Sequence, residues 1–126
     1  MTDVATGLVW QKCSWGQTGS DCSGSTAVYD TWPVALNHCH GLTLASRTWR
    51  LPNIIELQSI LDVTKASGAL IDTTIFPATG LLYWSSTNSN SFGSTAAWLV
   101  VFGSSGYVLD ELKVQGAANI RCVSGP

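Results

Sequence analysis

The chain has 126 residues, enough for one domain with a sizeable core. Hydrophobic residues make up 45% and charged residues only 11%, less than half the usual share of about 25%, and the net charge is -2. The basic residues Lys12, Arg47, Arg50, Lys65, Lys113 and Arg121 are never adjacent, which excludes a basic run for nucleic acid or an anionic membrane, and no apolar stretch reaches the length of a bilayer span. In chain order, Gly7 to Gln11 reads as a first strand, followed by a Gly/Ser/Thr loop from Cys13 to Thr26. Asp30-Thr31-Trp32-Pro33 starts a helix, with a polar cap and then Pro in the first turn. Trp32, Ala35, Leu36 and Cys39 give that helix one apolar face, and Gly41 is its stop. Trp49-Arg50-Leu51-Pro52-Asn53 leads into a second helix in which Ile54, Leu57, Ile60 and Leu61 keep helical spacing and Glu56 suits the helix dipole.

A turn-rich segment runs from Lys65 to Gly80, and strands follow. Leu82 to Ser86 is one; Ala97 to Phe102 is a buried one; Gly103 to Gly106 is a hairpin turn. In the next strand alternation sends Val108, Leu112 and Val114 inward, with Asp110 interrupting, and Tyr107, Leu109, Glu111 and Lys113 outward. Asn119 to Ser124 is the last strand. The order of strand, two helices and antiparallel strands predicts a single α+β domain over residues 1–126. If the two end strands pair, the termini lie side by side. The start Met1-Thr2-Asp3-Val4 is not a signal peptide, so the chain reads as a domain cut from a longer secreted protein.

Four cysteines allow three connectivities. The expected pairs are Cys13–Cys22, pinning the polar loop, and Cys39–Cys122, tying a helix to the last strand. The competing reading is four buried thiols in a cytosolic protein; the even count and the loop setting of Cys13 and Cys22 favour an oxidising compartment.

The chemistry-bearing residues do not assemble an enzyme. His38 and His40 flank Cys39 at i and i+2 on a helix and diverge, so they make a poor metal pair. Asp110 and Glu111 form the one adjacent acidic pair and point to opposite faces, short of a calcium ligand set. The other carboxylates are scattered, and there is no GxSxG, P-loop or GxGxxG motif. The expectation is no catalysis, no metal and no cofactor. Trp10, Trp32, Trp49, Trp84 and Trp98 read as core. Trp15, inside the Cys13–Cys22 loop, reads equally as a cover for the disulfide or an exposed anchor.

The segments ATGLVWQKC, WRLPNIIELQSILD, IDTTIFP, YWSST, AWLVVF and IRCVSG occur in this order. Together they resemble the DUF1566 domain, also called the Lcl C-terminal domain after a collagen-like adhesin, over nearly the whole chain. That family is similar to C-type-lectin-like folds: two helices on a looped antiparallel sheet with adjacent termini. In such folds a cysteine of the first helix pairs with one of the last strand, matching Cys39 and Cys122. The resemblance implies adhesion or ligand display on a bacterial or phage surface. The naming adhesin is associated with sulfated glycosaminoglycans, but the clustered Lys and Arg such sugars need are missing here. The lectin calcium triplets are missing too. The same fold class serves as variable receptors of diversity-generating retroelements.

The expected function is therefore a secreted or cell-surface binding module whose partner is a surface protein or a glycan, with no nucleic acid and no membrane insertion. The alternative is a structural or oligomerising tip domain of a surface fibre, homo-oligomeric through its parent protein. The expected ligand face joins Asn88, Asn90 and Phe92 of the Ser/Asn-rich stretch to Ser105, Tyr107, Leu109, Glu111, Lys113 and Asn119. Ser, Asn and Gly offer adaptable hydrogen bonds there, and the aromatic residues offer anchors.

Overall fold

A computed structural model describes residues 2–65, 68–89, 95–103, 106 and 108–125. The elements run β1 Val9–Trp10, α1 Trp32–Gly41, β2 Trp49–Arg50, α2 Ile54–Gln58, β3 Leu82–Ser89, β4 Ala96–Val101, β5 Val108–Leu112 and β6 Val123–Ser124. The chain is α+β, as predicted, but its strands form two three-stranded antiparallel sheets instead of one. In the small sheet β6 lies between β1 and β2, pairing Ser124 with both Val9 and Trp49. The two end strands are thus neighbours, as the sequence suggested. The larger sheet has the order β3-β4-β5, with a register shift in β3 between Trp84 and Asn88.

The two helices lie on opposite faces of the larger sheet, because adjacent strand residues point to opposite sides. Trp84, Ala97 and Leu99 join Ala35 and Cys39 of α1 in one buried cluster, with Trp49, Leu51, Ile120 and Cys122. Tyr83 and Val100, one residue away, join Leu57 of α2 in the other, with Trp10, Ile71, Phe76 and Phe102. Burying one large side chain fully is worth roughly 1.5–3 kcal/mol, so a core with both sheet faces filled is the main source of stability.

Both expected disulfides are present, Cys13–Cys22 and Cys39–Cys122, the second spanning 83 residues. α1 begins at the residue after Thr31, with Pro33 in its first turn and Ala35 and Cys39 buried on the predicted face.

Several details depart from the sequence reading. α2 ends at Gln58 because the Ser59 hydroxyl and amide both turn back to the Glu56 carbonyl. Ile60 and Leu61 still pack on the second cluster, from the turn that follows. Val114, expected inward, is 72% exposed, because β5 stops at Leu112 and the chain then turns. The last strand shrinks to Val123–Ser124, because residues 119–122 are shared among different partners. The Asn119 amide donates to Leu82 O, while its carbonyl accepts from Trp84 N. Ile120 O accepts from Trp15 N, and Cys122 O accepts from Gln11 N. Trp10, Trp49 and Trp84 are buried as expected, whereas Trp32 and Trp98 are half-buried.

Candidate ligand-binding face

Among the described residues β5 is an outer strand of the larger sheet, and its alternation is as read from the sequence. Leu109 is 41% exposed and Glu111 is exposed, while Val108 and Leu112 are half-buried. Val108 packs against the second cluster. Asp110, which interrupts the inward face, is half-buried and accepts a hydrogen bond from the Ser89 hydroxyl at 2.8 Å. An acid can stand on that face because a buried hydroxyl meets it.

Two cross-strand rows set the outward face. Trp84, Leu99 and Leu109 form one row, and Asn88, Ala97 and Glu111 form the next. The inner members are buried beneath α1, and the outer ones emerge where the sheet ends. Asn88 is exposed on β3, so the stretch read as a loop from Thr87 onward is strand as far as Ser89.

Lys113 lies one residue past β5 and is half-buried, not fully outward. Its Nζ sits 4.2 Å from the centre of the Trp32 ring and donates to Asn88 Oδ1. The Trp32 amide in turn donates to the Lys113 carbonyl at 3.0 Å, and its indole Nε1 donates to Ser85 O at 2.9 Å. The first residue of α1, the end of β3 and the end of β5 therefore meet at one place. A cation–π contact and a charge-assisted hydrogen bond hold the lysine there.

The structure thus brings together Asn88, Leu109, Glu111 and Lys113, and adds Trp32, which the sequence reading had assigned to the core. The helical pattern did not show that its side chain stays half-buried. Asn119 does not belong to this face. It is fully buried, its backbone pairs with β3, and its side-chain amide donates to Val28 O at 3.4 Å. The remaining expected positions, Asn90, Phe92, Ser105 and Tyr107, lie outside the described residues.

Trp15 has neither of its two expected roles alone. It is half-buried, packs against the first cluster and stacks on His38 at 3.9 Å between ring centres with a 12° interplanar angle. Burial holds the His38 imidazole below its ordinary pKa of 6.5. Among the described residues no three His, Cys, Asp or Glu side chains converge to hold a metal ion. No helix of the described residues is long and apolar enough to cross a membrane.

The fold and this face define a disulfide-bonded α+β domain whose outer strand carries exposed Leu109 and Glu111 beside the half-buried Trp32 of α1. The chain belongs to the Lcl C-terminal domain family, whose model matches residues 1–124. Neither a curated protein nor a solved structure matches it.

Proposed function

We propose that this domain is a non-enzymatic, extracytoplasmic binding module with a C-type-lectin-like arrangement, displayed on a bacterial or phage surface to engage a surface protein or a glycan. The observation that carries the reading is the pre-organised cluster of Lys113, Trp32 and Asn88 beside the exposed Leu109 and Glu111. A cation and an aromatic ring already fixed in place lose little entropy when a partner arrives. Two disulfides suit an oxidising compartment, where such modules work. Family membership supports adhesion as the general role, and the variable-receptor reading is its sharper form.

The test is binding of the labelled domain to whole cells and to an array of glycans, compared with the Lys113→Ala and Glu111→Lys variants. Loss of binding with an unchanged melt supports the face. Equal binding by all three proteins overturns it. Sequencing the same locus in sister strains then separates the two forms. Variation confined to the sheet edge selects a variable receptor, and uniform sequence selects ordinary adhesion.

A second reading is a fibre-tip assembly domain. It draws on the exposed apolar residues Leu109 and Val114, which would be subunit contacts. Light scattering across a concentration series separates it from the first, because only assembly predicts mass growth without a ligand.

A further inference from the structure

Arg121 is a cation enclosed in the core, 1% exposed. Its guanidinium lies over the Phe76 and Tyr83 rings, 4.7 and 5.0 Å from their centres. Nη2 donates to the Lys12 carbonyl at 3.2 Å, whereas Nε and Nη1 have no hydrogen-bond partner among the described residues. No described carboxylate pairs with it. An enclosed charge without a counter-charge is costly, and two ring faces offset only part of that cost.

Beside this cation the loop from Gln11 to Gly19 forms the wall of an open groove of about 480 Å³. Its lining includes the Trp15 and His38 rings, Leu42 and Leu44, and no carboxylate among the described residues lines it. Lys12 stands exposed at its rim. The wall touches the Arg121 site at two points. Lys12 supplies the carbonyl that accepts from Arg121, and the Ser14 hydroxyl hydrogen-bonds to the Tyr83 hydroxyl beneath the guanidinium. A carboxylate that acts on Lys12 is Asp21, which is exposed, bonded to Ser23 and outside the lining. The groove therefore combines an aromatic and aliphatic lining with the charge of Arg121 behind its wall and Lys12, opposed from outside by Asp21, at its rim.

We propose that this groove binds a small carboxylate carried on a planar ring. The ring packs on the stacked Trp15–His38 pair and the two leucines, and the carboxylate faces Lys12 and the field of Arg121. Arg121 acts through that field without touching the ligand, since its nitrogens are sealed. This site lies apart from the sheet edge that carries the functional reading.

The test uses the 126-residue domain labelled with nitrogen-15 and titrated with indole-3-acetate, indole-3-acetamide and acetate. Indole-3-acetate should give saturable shifts at the amides of Trp15, Gly16, Thr18 and His38. The neutral amide should bind about tenfold more weakly, the equivalent of one charge-assisted contact. Acetate should be weaker still for want of the ring. Lys12→Gln, at an exposed position, should weaken the acid about threefold and leave the amide unchanged. Equal affinity for acid and amide, or no saturable shift at millimolar ligand, overturns the proposal. Shifts at Asn88 and Glu111 instead would also overturn it, while leaving the sheet-edge reading intact.

Discussion

Arg50 and Glu56 meet in a two-bond ion pair, Nη1 to Oε1 at 2.7 Å and Nη2 to Oε2 at 2.8 Å. The same carboxylate accepts from the Asn53 amide at 2.9 Å, and Asn53 Oδ1 accepts from the Glu56 amide at 2.8 Å. Thus the WRLPN segment and the first turn of α2 close on each other: the arginine clamps the acid that completes the capping box.

Glu56→Gln should therefore destabilise the domain by about 1 kcal/mol, discounted because the Arg50 side chain is 34% exposed. The Arg50 hydrogen bond holds the Glu56 carboxyl below its ordinary pKa of 4.5. A lowered folded pKa means stability that is present above 4.5 and is lost as the pH falls through the folded value. Urea melts of both proteins between neutral and acidic pH should converge at the acid end. Parallel curves would show that the pair contributes nothing.

The disulfides should differ in weight. In the chain-entropy model, closing the short Cys13–Cys22 loop contributes about 2.7 kcal/mol and closing the long Cys39–Cys122 loop about 4.6 kcal/mol. The pair Cys39→Ala with Cys122→Ala should lower the denaturation midpoint more than Cys13→Ala with Cys22→Ala. Its penalty should exceed the entropic figure, since both of its cysteines are fully buried in the core. The reverse order would mean that the polar loop, not the helix-to-strand tie, governs stability.

The register of β5 can be tested with two neighbouring substitutions. Val108→Asp places a charge against the second cluster and should cost roughly 3 kcal/mol or more, enough to unfold much of a marginal domain. Leu109→Asp, at the exposed neighbour, should stay within about 0.5 kcal/mol of the parent. Chemical denaturation followed by tryptophan fluorescence reads both. A tolerated Val108→Asp with a damaging Leu109→Asp would shift the register by one residue and turn the proposed face into core.

His38 gives a second pH dependence of the same sign. Its Nε2 is buried without a hydrogen-bond partner among the described residues, and burial lowers its pKa from 6.5. The unfolded chain then takes up the proton first, so the stability linked to this group is full above 6.5 and declines as the pH falls toward the folded value. His38→Gln should flatten the melting temperature between neutral pH and pH values just below 6.5. A parent curve that is already flat there would place the imidazole in water and break the stacking arrangement with Trp15.

Local rules made much of this domain legible in the sequence. Ala35 and Cys39 marked the buried face of α1 by spacing, and alternation separated Val108 from Leu109 in β5, because both patterns follow from backbone geometry alone. The cysteine pairing was readable from the helix-face position of Cys39 together with the family resemblance, in which a cysteine of the first helix pairs with one of the last strand. What the tertiary structure decided is where those elements meet. Helical spacing says that Trp32 faces the protein, but only the convergence of α1, β3 and β5 leaves its ring half-buried under Lys113. Strand spacing cannot reveal that Asn119 is enclosed, because its backbone and side chain are taken by Leu82, Trp84 and Val28, all distant along the chain. The Arg121 site is equally non-local. Its carbonyl partner and the rings that cover it come from residues 12, 76 and 83, so no window of the sequence contains the group of contacts that encloses the charge.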